Sequence, residues 1–214
     1  FASLGDVEES ATLAVISNEY FDALPFHLLR RAGDQWTEDL IDITDEGFTY
    51  HDAAPGAAAL AYAGQYGGDL PDGGRLEARP GIAALYAEIA ELAPRIAMTT
   101  VDYGGLAPEV HGPRLQAGTA LAYRDQSAGE DLLRDPGEQD LTAHANFGLA
   151  KRAGESAGLQ TEQFTTQERF LNGTFAEMLK TAPALGQALD VRQLQTLTHP
   201  AHMGCPFRVL VQSR

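Results

Sequence analysis

Asn18, Glu19 and Asp22 follow directly on a short apolar run, in Leu13-Ala-Val-Ile-Ser-Asn-Glu-Tyr-Phe-Asp-Ala-Leu-Pro25. The run is too short for a typical helix and fits a strand covered on both faces. Its polar residues then stand where such a strand would surface, and open α/β sheets bind ligands in the crevice beyond the carboxyl ends of their strands. A second stretch repeats the design: Arg95-Ile-Ala-Met-Thr-Thr-Val101 runs into Asp102-Tyr103-Gly104-Gly105, whose glycines allow a tight turn and close backbone approach to a ligand. If the two strands are parallel neighbours, Glu19 and Asp102 share one rim. Rim carboxylates can bind a cationic or polar substrate or support hydrolysis. The plainer alternative is that Asn18 and Asp102 cap turns, which these residue types do well.

A third stretch, Asp135-Pro-Gly-Glu-Gln-Asp-Leu-Thr-Ala-His144, gathers Glu138, Asp140 and His144 around an expected helix start. Asp140 or Thr142 would cap that helix, and a helix N-terminus facing a crevice is also a place for polar chemistry. His199, His202 and Cys205 are spaced three apart, but Pro200 and Pro206 break the local geometry and no second Cys/His cluster completes four ligands. No metal site is expected. G-x-S-x-G, Walker and H-E-x-x-H motifs are absent, and no G-x-G-x-x-G opens a helix after a strand.

These residues must be carried by a scaffold, and the pattern predicts an α/β one. After Pro25, Phe26 to Tyr50 reads as a small antiparallel meander inserted in the main fold, with turns at Gly33-Asp34 and Asp45-Glu46-Gly47. The Ala-, Gly- and Pro-rich stretch from Ala53 to Gly74 reads as a mobile loop within residues 51–80. Pro80 suits the first turn of a helix whose apolar positions Ile82, Leu85, Ile89 and Leu92 recur at helical spacing up to Pro94. With the strand at 95–101, this rhythm predicts a parallel sheet with right-handed crossovers. Residues 106–139 show little periodicity. Further expectations are a helix from Thr142 to Gly158, a strand from Leu159 to Phe164, a helix opened by a capping box at Thr165-Thr-Gln-Glu168, a helix from Leu185 to Leu197 and a strand at Phe207–Val211.

Of the 214 residues, 44% are apolar, which marks a folded chain. The net charge of −15 disfavours nucleic acid and anionic membrane as partners. A single cysteine, Cys205, forbids an intrachain disulfide and suggests a reducing compartment. No run approaches the roughly 18 apolar residues of a membrane span, and no secretory leader is recognisable.

Four blocks then occur in order: Ser-Asn-Glu-Tyr-Phe-Asp-Ala-Leu-Pro-Phe-His (17–27), Val-Asp-Tyr-Gly (101–104), Asp-Pro-Gly-Glu-Gln-Asp-Leu-Thr-Ala-His (135–144) and His-Met-Gly-Cys-Pro-Phe-Arg-Val-Leu (202–210). Together they resemble the MidA family of S-adenosylmethionine-dependent methyltransferases, which includes the mitochondrial assembly factor that methylates an arginine of a respiratory complex I subunit. The family pattern N-E-x-x-D-A-L-P matches Asn18, Glu19 and Asp22 to Pro25, D-Y-G matches Asp102 to Gly104, and D-L-T-A-H-V-D-F matches Asp140 to His144 and Phe147. The chain departs from the pattern at Ala145, at Asn146 where Asp is usual, and at Gln126 where His is common. The family's glycine-rich cofactor motif would precede Phe1.

The resemblance therefore implies a partial Rossmann-like class I methyltransferase fold. It would run from the fourth strand onward and form the C-terminal portion of one methyltransferase domain, with residues 26–50 as the insertion. It implies S-adenosylmethionine as cofactor, a protein substrate presenting an arginine, and a bacterial cytoplasmic or eukaryotic mitochondrial-matrix setting. Glu19 is the implied substrate clamp, with Asn18 and Asp22 shaping the catalytic pocket and Asn18 reaching the cofactor. Asp102, Tyr103, Asp140 and His144 would line the substrate side. A sheet beginning at its fourth strand bares an apolar edge, which admits a homo-oligomer. The competing readings are a non-catalytic assembly or binding protein that keeps the fold, and another α/β enzyme such as a hydrolase using the rim carboxylates.

Overall fold

The computed structural model describes residues 4–7, 11–45, 47–125, 127–182 and 191–214. In chain order its strands and helices are β1 (Leu13–Asn18), β2 (His27–Ala32), β3 (Gln35–Thr44), β4 (Gly47–Ala53), α1 (Ala57–Tyr66), β5 (Arg75–Ala78), α2 (Gly81–Glu91), β6 (Ile96–Gly105), α3 (Ala107–Val110), β7 (Leu121–Arg124), β8 (Ser127–Gly129), β9 (Asp140–Thr142), β10 (Ala145–Asn146), α4 (Phe147–Ser156), β11 (Gln160–Thr166), α5 (Gln167–Thr181), α6 (Val191–Thr198) and β12 (Phe207–Ser213). They form two interleaved units. One comprises residues 1–19, 86–104 and 151–214; the other comprises 20–85 and 105–150.

The first unit is built on strands ordered β1-β6-β12-β11. β1 and β6 are parallel, whereas β12 runs antiparallel to both β6 and β11. The sheet is thus mixed rather than wholly parallel, because the last strand enters between β6 and β11 from the opposite direction. Ile96, Met98, Leu159, Val209 and Leu210 are buried. β1 is the edge strand, and its Ile16 is exposed. β6 continues through Asp102 to Gly105, where a turn was expected, because β12 supplies pairing as far as Tyr103. The cap of α5 falls one residue later than the expected box: Thr166 accepts from the Arg169 N–H at 3.4 Å. Residues 185–190 of the expected helix and Gln126 lie outside the described residues, as does Glu46.

The second unit holds a four-stranded antiparallel sheet, β4-β3-β2-β5, and a small sheet, β8-β7-β9. The meander expected at 26–50 corresponds to β2–β4, and β5 extends it. The loop expected across 51–80 is corrected: it contains α1 and β5. Ala59, Tyr62, Ala63 and Tyr66 recur at the spacing of one helical face. They bury against Leu29, Leu70, Leu76 and Ala78 in this unit's core. The helix expected from Thr142 is also corrected. Asp140–Thr142 pairs with β7 as a strand, and the helix starts only at Phe147. Its cap is Asn146, whose Oδ1 accepts the Leu149 N–H at 3.2 Å.

Candidate functional site

In the first unit, parallel pairing sets Asn18 opposite Val101, and the Glu19 N–H donates to the Val101 carbonyl at 2.9 Å. Asn18-Glu19 and Asp102-Tyr103 therefore leave adjoining strands at the same end. Asn18 and Glu19 are exposed there, and the Asn18 amide reaches the Glu19 carboxylate at 3.4 Å. Glu19 has φ +47°, a left-handed conformation that costs a non-glycine residue about 1 kcal/mol or more and tends to mark functional positions. Asp102 is fully buried, with its Oδ1 accepting the Tyr103 N–H at 2.8 Å, and it stands opposite Arg208 of β12. Tyr103 packs on Phe207, ring centres 5.7 Å apart. The exposed Asn18 amide at this rim, which both donates and accepts, suits the amino-acid end of a sulfonium cofactor, and the exposed Glu19 carboxylate can accept from a cationic group.

The other expected residues belong to the second unit, where they do different work. Asp22 is buried, and its Oδ2 accepts from the Thr142 hydroxyl at 2.8 Å, joining the 20–25 segment to β9. Asp140 is exposed in β9 opposite Tyr123. His144 donates its N–H to Thr119 Oγ1 at 3.0 Å and shares a cleft of about 270 Å³ with Glu77, Thr119 and Arg75. Burial lowers the His144 pKa; the Glu77 carboxylate opposes the shift and Arg79 adds to it.

Sequence reasoning missed Arg79 and Glu77, both nearly fully buried. The Arg79 guanidinium donates to the carbonyls of Asp22 at 2.5 Å, Leu24 at 3.0 Å and His144 at 3.1 Å, and it lies 5.1 Å over the Phe26 ring. It thereby ties the first motif block to the third. The Glu77 carboxylate accepts from Thr119 N–H (2.7 Å), Thr119 Oγ1 (3.0 Å) and Ala120 N–H (3.0 Å). Gly118 permits this approach: it has φ +86°, and a Cβ there would strike the Glu77 carboxylate. The alternation of charged and apolar residues in Arg75-Leu-Glu-Ala-Arg79 is the signal that marks a strand here.

A third polar cluster links α1 to α4. Tyr62 accepts from Asn146 Nδ2 at 2.9 Å and bonds His111 Nε2 at 2.9 Å. The amide orientation of Asn146 follows from its Oδ1, which takes a backbone N–H. Burial drives the His111 pKa down to about 4 and that of Tyr62 upward. Among the described residues, no group of three or more His, Cys, Asp or Glu side chains is placed to hold a metal. No described helix is long and apolar enough to cross a membrane.

Comparison with known proteins adds to this geometry. A family model described as "Putative S-adenosyl-L-methionine-dependent methyltransferase" matches residues 2–165. The chain belongs to this methyltransferase family. It is 30% identical over 203 residues to the mitochondrial protein arginine methyltransferase NDUFAF7 of Xenopus laevis, a match covering 90% of this chain and 44% of the relative. The Drosophila melanogaster homologue is 28% identical, covering 97% and 48%. The chain thus spans just under half the length of these curated relatives. Among solved structures, it is similar to a Burkholderia thailandensis protein crystallised with S-adenosyl-homocysteine, at a TM-score of 0.81 and 27% identity, covering 96% of this chain and 55% of that one. A second crystal structure from that organism gives a TM-score of 0.79 and 30% identity. The α/β fold of this family, with a mixed sheet, is the fold of the chain.

Proposed function

We propose that this chain carries the substrate-facing part of an S-adenosylmethionine-dependent methyltransferase that modifies an arginine of a protein substrate. The observation that carries the reading is the parallel pairing of β1 with β6, which sets Asn18-Glu19 beside Asp102-Tyr103. Family membership supports methyl transfer. Arginine as acceptor is supported by the names of the frog and fly relatives.

When bound, S-adenosylmethionine supplies an electrophilic methyl group on a sulfonium that leaves as a neutral thioether. The residues of this chain then have to align the acceptor. A guanidinium presents a planar fork of donors, which a carboxylate meets with two parallel hydrogen bonds. Glu19 would hold the arginine in this way, orienting one nitrogen lone pair toward the methyl carbon and accepting the proton that this nitrogen sheds. Asn18 would hold the amino-acid end of the cofactor and steady Glu19. Tyr103 would form the adjoining wall, with the buried Asp102 positioning it through the Tyr103 N–H. In the second unit, Asp140 and His144 would contact the protein substrate, with Asp22 acting through Thr142. A respiratory-complex subunit is the substrate class that the family resemblance implies, in the mitochondrial matrix for a eukaryotic source and the cytoplasm for a bacterial one.

The test is transfer of a radiolabelled methyl group from S-adenosylmethionine by the complete gene product, followed by amino-acid analysis of the labelled protein. Label is expected in methylarginine. Glu19→Gln should reduce transfer about 100-fold, the cost of roughly 3 kcal/mol for two charge-assisted hydrogen bonds, with the thermal midpoint preserved. Label in another residue type, or unreduced transfer by Glu19→Gln, would remove the arginine clamp from the mechanism. Absence of S-adenosylmethionine binding by calorimetry on the complete gene product would favour the non-catalytic assembly role.

A further inference from the structure

The β3–β4 ribbon presents an apolar face that the described residues leave exposed. Cross-strand pairing sets Ile41 opposite Tyr50 and Ile43 opposite Phe48, and alternation along each strand puts all four on one side. They are 56%, 37%, 75% and 44% exposed, respectively. Ile41 and Tyr50 also line a groove of about 410 Å³, whose other apolar walls include Leu24, Pro25, Leu133 and Leu141. Ladder and groove are therefore continuous. Leu24 and Pro25 lie within the first motif block, five and six residues after Glu19.

Charge identifies the kind of occupant. Residues 35–53 contain six carboxylates and no lysine or arginine. Asp39 and Asp52 face each other on the ladder's own side. Arg30 reaches across from β2 and pairs with both, so that pair of carboxylates is already matched and the ribbon's excess negative charge comes from its other acidic residues. Burial pushes the Tyr50 phenol up, Arg75 opposes this, and Asp39 and Asp131 add to it. A second copy of the chain would set one acidic ribbon against another on a molecule of net charge −15, which disfavours self-association.

We propose that this ladder and groove dock an extended, basic segment of the substrate protein, with alternate apolar side chains seated on Ile41, Ile43, Phe48 and Tyr50 and the segment's positive charge attracted by the acid-rich ribbon as a whole. The proposal rests on the protein-substrate reading above and deepens it by assigning recognition to a surface distinct from the reacting rim. Apolar anchors supply the affinity, while the charge steers encounter and rejects acidic partners.

The experiment measures binding without any methyl donor, so that it is decided separately from catalysis. The probe is a fluorescein-labelled synthetic peptide of alternating arginine and leucine. The controls replace arginine with glutamate or leucine with serine. The arginine–leucine peptide is expected to bind, to shift the backbone amide resonances of residues 39–52, and to weaken with added salt. Its affinity should fall about tenfold in the I41S/I43S double variant, whose lost side chains are solvent-exposed and should leave the thermal midpoint unchanged. Both control peptides should bind poorly. Unchanged affinity in I41S/I43S, or no binding of the arginine–leucine peptide at millimolar concentration, would overturn the proposal. So would sedimentation showing a dimer that I41S/I43S dissolves, since the face would then belong to a second copy. Loss of docking with arginine methylation intact would defeat this inference alone. Docking without methyl transfer would defeat only the catalytic reading.

Discussion

Replacing Glu77 by alanine is expected to loosen the 118–120 turn and the strand it supports. Three donors lose their acceptor: the Thr119 and Ala120 amides and the Thr119 hydroxyl, now bonded at 2.7, 3.0 and 3.0 Å. An orphaned buried donor costs about 1–3 kcal/mol. The neighbouring cleft lets water compensate in part, which places the total near 3 kcal/mol, or about 6–12 °C in thermal midpoint for a chain of this size. Glu77→Gln keeps the shape and one acceptor oxygen. Its amide hydrogens turn toward Thr119 Oγ1, which already accepts from His144 N–H at 3.0 Å, so the hydroxyl proton alone is stranded, at about 1 kcal/mol. The assay is differential scanning calorimetry of both variants, with amide exchange at Thr119 and Ala120 as the local readout. A second signature separates charge from packing. The Glu77 carboxylate raises the His144 pKa against the effect of burial, so in Glu77→Gln the imidazole should titrate at still lower pH by NMR. Equal midpoints for the two variants, or a His144 that titrates higher, would refute the anchoring role.

Acid should destabilise the fold through its buried histidines. The folded-state pKa of His111 is about 4, against 6.5 when unperturbed, and that of His144 is lowered too, both chiefly by burial. The His111 contribution is complete above about pH 6.5 and is lost as pH falls toward 4, at a slope approaching ~1.4 kcal/mol per pH unit, and His144 adds a loss in the same direction below about pH 6.5. Denaturant titrations across that window check this, and His111→Asn should flatten the slope. Gly204→Ala should cost about 2 kcal/mol or more. A Cβ there meets the Thr198 carbonyl and, at 2.8 Å, the His199 carbonyl oxygen, both backbone groups that cannot swing aside. A neutral thermal shift would show that this turn yields.

The elements legible from sequence were those with strong local signals. β1 and β6 were apolar runs, α2 had its stripe and flanking prolines, and β11, α5 and β12 followed in the expected order. The adjacency of Asn18-Glu19 and Asp102-Tyr103 was legible because a strand–helix–strand unit leaves few arrangements. The misread elements share a cause: local composition outweighed periodicity. Gly67-Gly68, Gly73-Gly74 and the surrounding Ala- and Pro-rich composition suggested a loop, yet Ala59, Tyr62, Ala63 and Tyr66 already spelled a helical face. Asp140 and Thr142 are good caps in isolation, but β7 claimed them as a strand and left capping to Asn146. The direction of β12 carries no mark in Phe-Arg-Val-Leu-Val. Glu77 and Arg79 were invisible as structural residues because a buried charge betrays itself only through its partners.

The placement of β12 bears on how the chain is made. Ribosomal synthesis delivers β1 and β6 long before the strand that lies between β6 and β11. One side of β6 must therefore wait, unzipped, while about a hundred further residues emerge, which is the kind of distant pairing that slows folding and exposes nascent chains to aggregation. A nick or premature stop ahead of Phe207 would take a seam out of the middle of the sheet rather than trim its border.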